Sequence, residues 1–308
     1  MYKKELDPQV AKFLDESGEQ LSPTDVSLEE SRRLLEEMTP SLHIPEKEVE
    51  NLKIPGPTGD IPIRVYIPSD RKNVPVIVYY HGGGWSCGNL NTAENICTML
   101  ANETEFVIIS VDYRLAPEHP YPAGIDDSYA ALKWISENAK KFGGDNQRLV
   151  VAGDSAGGTM ATVMALKARN ENGPRIGFQV LICPATNLRE LNTTSYQTCS
   201  KGYMLSKEWM EHYRDLYVPD KATWSDPYVS PLLENNLSGL PPAMILIAEF
   251  DILHDEAETY GEKLKSSGVP VVLSRYPGMI HDFLLLLPRI KASQKAFDDI
   301  SSVLKERL

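Results

Sequence analysis

The sequence has no long hydrophobic run. No apolar stretch approaches the roughly 18 residues of a transmembrane helix, and FLLLL at 283–287 has the size of a core segment. The first residues, MYKKELDPQV, carry charges where a signal peptide needs an unbroken apolar segment. We therefore expect a protein without stable membrane insertion that works in the cytoplasm.

Positive charge is also scarce. The chain has 31 Lys and Arg against 43 Asp and Glu, for a formal net charge of −12, and no local cluster of basic residues. This balance disfavours nucleic acids and anionic membrane surfaces as partners. We expect a small molecule as the partner, and a homodimer is compatible with the sequence.

Paired cysteines and metal-binding spacings are absent from the sequence. Four cysteines show no CxxC spacing and no disulfide framework, and we expect reduced, mostly buried thiols. There is no HExxH motif, and no Gly-Lys-Ser/Thr of a phosphate loop. The segment GGGWSCGN fails the dinucleotide pattern, which needs glycine at Cys87. The sequence thus predicts no metal and no nucleotide cofactor.

Short apolar, β-branched runs recur along the chain and alternate with helical segments. Runs that are apolar throughout are typical of parallel strands with both faces covered, and strand–helix alternation predicts a doubly wound α/β sheet. Before them, an antiparallel strand pair flanks PGPTG at 55–59. We expect one domain over 1–308. The predicted parallel strands are 74–80, 106–112, 148–153, 178–183, 243–249 and 269–276.

Two regions lie outside this alternation. Helix-like stretches occupy about 7–17 and 27–38, and the segment from about 187 to 240 is longer than one crossover needs. We interpret the latter as an insertion over one end of the sheet. Its Met204, Trp209 and Tyr213 are candidates either for lining a pocket or for plain core packing.

Ser155 is the candidate nucleophile. It lies between Gly153 and Gly157, directly after a predicted strand and before a helix-forming segment. Such a strand-to-helix turn strains the serine and needs small residues two positions away on each side. The Gly-x-Ser-x-Gly pattern is common by chance, so the assignment depends on partners elsewhere in the chain.

A serine hydroxyl needs a base and an orienting carboxylate. His281 follows the last predicted strand, and Asp251 comes just past the strand predicted to end at Glu249, so both are expected at the same sheet edge as Ser155. The resulting chain order Ser, Asp, His is that of α/β-hydrolases. The less favoured alternatives are His43 and His212 in outer helical segments, His119 in a proline-rich turn, His254 at a helix start, Asp255 and Glu256 on that helix, and Asp282 beside His281.

Backbone amides are suited to hold the oxyanion of a tetrahedral intermediate. Consecutive glycines at 82–84 let the main chain approach a substrate, and the residue after the nucleophile opens a helix. We expect the oxyanion hole to consist of the amides of Gly83, Gly84 and Ala156. His81 is expected to shape this loop through side-chain hydrogen bonds.

Three ordered motifs resemble the hormone-sensitive lipase-like esterases of the α/β-hydrolase superfamily. They are HGGGW at 81–85, YRLAPEHPYPA at 113–123 and GDSAGG at 153–158. AEFDILHDE at 248–256 and HDF at 281–283 are similar to the acid and histidine segments, with Ile252 where proline is common and Asp282 where glycine is frequent. Neither departure removes a predicted catalytic atom.

The resemblance implies an α/β-hydrolase fold, with a mostly parallel sheet of about eight strands flanked by helices and a cap formed by about 1–45 and about 187–235. It also implies a serine carboxylesterase for short- to medium-chain esters, with Ser155, Asp251 and His281 as the triad and no cofactor. For YRLAPEHPYPA we expect Arg114 and Glu118 to pair. An amide-cleaving deacetylase with the same triad stays open, as does a non-catalytic small-molecule receptor.

Overall fold

A computed structural model describes residues 5–18, 20–39, 48–68, 72–287 and 289–308. His43 and parts of the predicted cap segment, residues 1–4, 19 and 40–45, lie outside these ranges. Among the helices within the ranges, none combines the length and the apolar character needed to cross a bilayer.

The centre of the fold is an eight-stranded sheet with the order β1-β2-β4-β3-β5-β6-β7-β8. The β1–β2 and β2–β4 pairs are antiparallel, and the remaining pairs are parallel. The predicted fold class and the antiparallel pair around PGPTG are therefore confirmed. The strands are β1 Glu48–Pro55, β2 Asp60–Ile67, β3 Val74–Tyr80, β4 Val107–Val111, β5 Gly144–Asp154, β6 Ile176–Ile182, β7 Ala243–Phe250 and β8 Val271–Ile280.

The central strands bury both faces, which explains their unbroken apolar runs. In β3, Val76, Val78 and Tyr80 belong to one core layer, and Ile77 and Tyr79 belong to the other. Helices cover each layer, and all but three residues of the small-residue helix α5 are buried. The α-helices are α1 Pro8–Ser17, α2 Leu28–Met38, α3 Glu94–Thr104, α4 Ala123–Asn138, α5 Ala156–Asn170, α6 Thr194–Thr198, α7 Lys207–Tyr217, α8 His254–Ser266 and α9 Ala292–Arg307.

Strand β8 continues beyond its predicted end at Tyr276. Pro277 and Gly278 indicate a turn in the sequence, but the pairing with β7 shifts register between Ala248 and Phe250 and resumes at Ile280. An edge strand with such an irregularity tolerates proline. His281 therefore follows the strand directly and does not lie on a longer loop.

The expected pair between Arg114 and Glu118 is wrong. Arg114 donates from Nε and Nη2 to the two carboxylate oxygens of Asp127 at 2.7 and 2.9 Å. Glu118 instead accepts two hydrogen bonds of 2.8 Å from Arg32 of helix α2. The buried Asp127 of α4 needs a cation near it, whereas Glu118 is exposed and faces the N-terminal helices.

Candidate active site

Ser155 lies on a strained turn between β5 and α5. Its backbone has φ 53° and ψ −117°, a conformation that side-chain-bearing residues rarely adopt. A Cβ at Gly153 would lie 2.2 Å from the carbonyl oxygen of Gly157, and a Cβ at Gly157 would lie 1.9 Å from that of Tyr80. Both positions therefore exclude any larger residue, as the turn requires.

The structure brings Ser155, His281 and Asp251 together. The Ser155 Oγ lies 2.9 Å from Nε2 of His281, and the Nδ1 of His281 lies 2.7 Å from Oδ2 of Asp251. Since a carboxylate only accepts, Nδ1 carries the proton and leaves Nε2 to accept from the serine. All three residues are buried, with relative exposures of 7%, 4% and 2% for Ser155, His281 and Asp251.

The environment of His281 favours its protonated form. Burial lowers the pKa of the imidazole, but the carboxylates of Asp251 and Asp282 outweigh this effect, and the pKa lies well above its ordinary value. Asp251 is itself held by its loop, because its Oδ1 accepts from the amide of Leu253 at 2.9 Å.

The glycine loop lies opposite these residues. Gly83 and Gly84 have positive φ angles of 112° and 59°, and the ring of Tyr213 packs so closely that a Cβ at Gly84 would lie 2.3 Å from its Cγ. The first amides of a helix, including that of Ala156 at the start of α5, have no acceptor within the helix. As expected, His81 braces the loop, since its Nδ1–H donates to the carbonyl of Gly82 at 2.7 Å.

Asp154 is a residue of the site that sequence reasoning missed. Its Oδ1 accepts from the amide of Gly82 at 3.0 Å and from the hydroxyl of Tyr79, so it ties the glycine loop to the nucleophile turn. Burial, followed by the nearby charge of Asp282, raises the pKa of Asp154 to about 7. Its position directly before the nucleophile was the signal that could have identified it.

Glu256 lies on helix α8, as the sequence predicts, but its contacts depend on the tertiary structure. Its Oε1 accepts from the amides of Thr186 and Asn187 at 2.6 and 3.1 Å. Burial raises its pKa to about 8. These bonds connect the segment after β6 to the helix that follows Asp251.

A cavity of about 390 Å³ opens in front of Ser155. Its walls include Leu34, Leu35 and Met38 of α2, none of which is fully buried because this face looks into the cavity. Met204, Trp209 and Tyr213 also line it, so the pocket alternative for these three side chains is the observed one. The described lining residues include no lysine or arginine.

Cys183, Asp251 and His281 offer three buried ligand atoms within 4.8 Å of one another. The contacts to Asp251 and Ser155 already use both ring nitrogens of His281. We therefore assign this cluster to the orientation of the imidazole. All four cysteines are buried thiols, as expected.

Comparison with known proteins identifies the family. A family model described as alpha/beta hydrolase fold matches residues 77–285. The chain is 43% identical over 294 residues to the carboxylesterase NlhH of Mycobacterium tuberculosis, covering 92% of this chain and 91% of that protein. It is 33% identical over 319 residues to an ethyl acetate hydrolase of Pseudomonas putida, covering 98% and 99%.

A solved structure shows the same fold throughout. The hyperthermophilic esterase from Pyrobaculum calidifontis is 38% identical, with a TM-score of 0.93 over 98% of each chain. Together with the three motifs and the fold, these matches show that the chain belongs to the hormone-sensitive lipase-like family of carboxylic ester hydrolases in the α/β-hydrolase superfamily.

Proposed function

We propose that the protein is a serine carboxylesterase that hydrolyses short- to medium-chain carboxylic esters through an acyl-enzyme. Ser155 is the nucleophile, His281 the general base and acid, and Asp251 the carboxylate that orients His281. The observation that carries the proposal is the continuous chain of contacts from Ser155 Oγ through both nitrogens of His281 to Asp251, at 2.9 and 2.7 Å.

The proposed reaction has two steps. Nε2 of His281 takes the proton of Ser155 while Oγ bonds to the ester carbonyl carbon, and then returns that proton to the leaving alcohol. A water activated by the same nitrogen next releases the acid and frees Ser155. The amides of Gly83, Gly84 and Ala156 hold the oxyanion in both steps, and no cofactor takes part.

Two observations support a small, uncharged substrate. The cavity of about 390 Å³ is at the lower end of the roughly 300–1,000 Å³ range of small-molecule sites. Its walls are largely apolar side chains of α2, of α7 and of the loops that connect these helices to the sheet. The similarity to an ethyl acetate hydrolase also favours short chains.

We further propose that the segments of about 1–45 and about 187–235 form a cap on a single domain. Side chains from α1, α2 and α7 line the cavity above Ser155. The Nε1–H of Trp209 on α7 donates to the carbonyl of Leu21 at 2.7 Å, which joins the two segments. Four buried cysteine thiols suit the reducing cytoplasm, where we propose the protein acts.

The test is a rate series on nitrophenyl esters from acetate to palmitate, with nitroacetanilide beside them, for the wild type and Ser155→Ala. We expect the highest kcat/KM between acetate and octanoate, a much lower rate on the anilide, and loss of all turnover in S155A. A faster anilide reaction would instead identify an amide-cleaving deacetylase.

Ser31→Ala is the matched control, because Ser31 lines the same cavity from α2. An organophosphate should label Ser155 in the wild type and in S31A. A protein that binds the esters without turnover and without a labelled Ser155 would be a receptor, and the proposed function would be wrong.

A further inference from the structure

Asp282 occupies an unusual position beside the imidazole. Its backbone is left-handed, with φ 49° and ψ 34°. In this conformation its Oδ2 lies 3.3 Å from Nε2 of His281, the nitrogen that also contacts Ser155 at 2.9 Å. Neighbours in sequence rarely face each other, and here the left-handed turn allows it.

The Asp282 carboxylate has few other partners. Its side chain is only 7% exposed, and among the described residues Oδ1 has no hydrogen-bond partner. A buried charge without compensation costs free energy. The protonated imidazole of His281 is the cation that the site can form next to it.

The groups that face His281 come from four strand ends. Asp251 after β7 contacts Nδ1, and Asp282 contacts Nε2. Ser155 after β5 and the thiol of Cys183 after β6 are neutral, since burial raises the pKa of that thiol well above its ordinary value. Asp154, which is also buried, lies close enough to Asp282 for that charge to raise its pKa, after the larger effect of burial.

No competing cation lies near this contact among the described residues of the cavity wall. The described lining of the cavity holds no lysine or arginine, and burial lowers the pKa of His81 to about 4, so that this imidazole is neutral. An imidazolium at position 281 therefore lies between two carboxylates, one on each nitrogen.

We propose that Asp282 is a positioning residue for the proposed hydrolysis, whose carboxylate stabilises the protonated His281 from the Nε2 side and thereby sets the pH above which the enzyme is active. The inference rests on the proposed function. When the Oγ–H bond of Ser155 breaks and Nε2 takes the proton, the new positive charge lies beside Asp282. The proton then passes to the leaving oxygen, and Asp282 keeps its own charge throughout.

This contact determines the direction in which the pH dependence of activity should move. An opposite charge favours the protonated imidazole, which cannot accept the serine proton. Activity therefore rises only at a pH above the ordinary histidine pKa of 6.5. Removal of the Asp282 charge should move this rise to lower pH.

The test is the pH profile of kcat/KM on nitrophenyl acetate for the wild type, Asp282→Asn and Asp282→Gly. Both replacements tolerate a left-handed backbone. We expect the acid limb to move down by about one pH unit, so that relative activity on that limb rises about tenfold. Asp112→Asn is the control, because this carboxylate faces His81 at 3.9 Å and should leave the limb in place.

Two results overturn the proposal. One is an unmoved acid limb in folded, active D282N and D282G, which leaves the esterase function intact. The other needs no variant: an NMR titration of the wild type in which the His281 imidazole titrates at or below pH 6.5. Failure of the function itself would appear separately, as a wild type without turnover and without a labelled Ser155.

Discussion

The Nε2 atom of His281 lies 2.9 Å from the Oγ of Ser155, although the two residues are 126 positions apart in the chain. The strand ends that carry them meet at one edge of the sheet, with β6 and β7 between β5 and β8. This contact gives the serine its base and connects it to Asp251. The predictions below test what each surrounding group contributes.

Asp251→Asn should lower kcat by about 10⁴-fold with little change in folding, because an amide at this position favours the wrong imidazole tautomer. The measurement is steady-state hydrolysis of nitrophenyl acetate, with circular dichroism to verify the fold. Asp255→Asn is the matched control: its Oδ2 accepts from the amide of Ser195 at 2.8 Å and serves a different loop. Equal losses in the two variants would contradict the assigned role of Asp251.

Gly84→Ala should lower kcat by about 10²- to 10³-fold, the effect of losing one oxyanion donor. The new Cβ would lie 2.3 Å from Cγ of Tyr213, so the loop must shift and carry its amide away from the oxyanion. Gly268→Ala controls for backbone strain alone, because its φ is +81° and its Cβ would have no neighbour within 4 Å. Similar activity in G84A and wild type would remove Gly84 from the oxyanion hole.

Arg32→Ala should loosen helix α2 over the cavity. Arg32 donates to the carbonyls of Ser86 and Ala116 at 2.8 and 3.1 Å, besides its pair with Glu118. We expect a loss of about 1–2 kcal/mol in the free energy of unfolding and faster proteolysis within residues 20–39. Thermal melts and limited proteolysis measure both effects.

The control for Arg32 is its neighbour. Arg33 pairs only with Glu30 and Glu37 of its own helix among the described residues, at an exposed position. Arg33→Ala should therefore leave the free energy of unfolding nearly unchanged, because water screens an exposed ion pair. If the Arg33 variant were as sensitive to protease as the Arg32 variant, the contacts of Arg32 would not be what holds α2 over the cavity.

Asp282→Asn should improve hydrolysis of anionic acyl groups. The described cavity lining offers no lysine or arginine, and the Asp282 carboxylate repels a second carboxylate near His281. Between nitrophenyl hemisuccinate and nitrophenyl butyrate, the ratio of kcat/KM should rise about fivefold in D282N, which corresponds to about 1 kcal/mol. The comparison is made at a pH where both proteins are fully active, and an unchanged ratio would show that the charge does not reach the acyl group.

Much of the fold followed from local patterns. The apolar runs located β3, β4, β5, β6 and β7, and the helix-like stretches before them match α1 and α2 within a residue or two. The rule that polar residues after parallel strands meet at one sheet edge then selected Ser155, Asp251 and His281. Their contacts are as expected, and their catalytic roles stay a proposal.

What the sequence determined by itself is the sheet, the motifs and the residues that reach its active edge, because strand periodicity and turn chemistry are local properties. Tertiary structure alone decided which side chains pair across that edge. Arg114 pairs with Asp127 and Glu118 with Arg32, and Asp282 turns back to His281. Such pairings depend on the distance and angle between elements remote in the chain, or on one left-handed residue, and no periodic pattern records them.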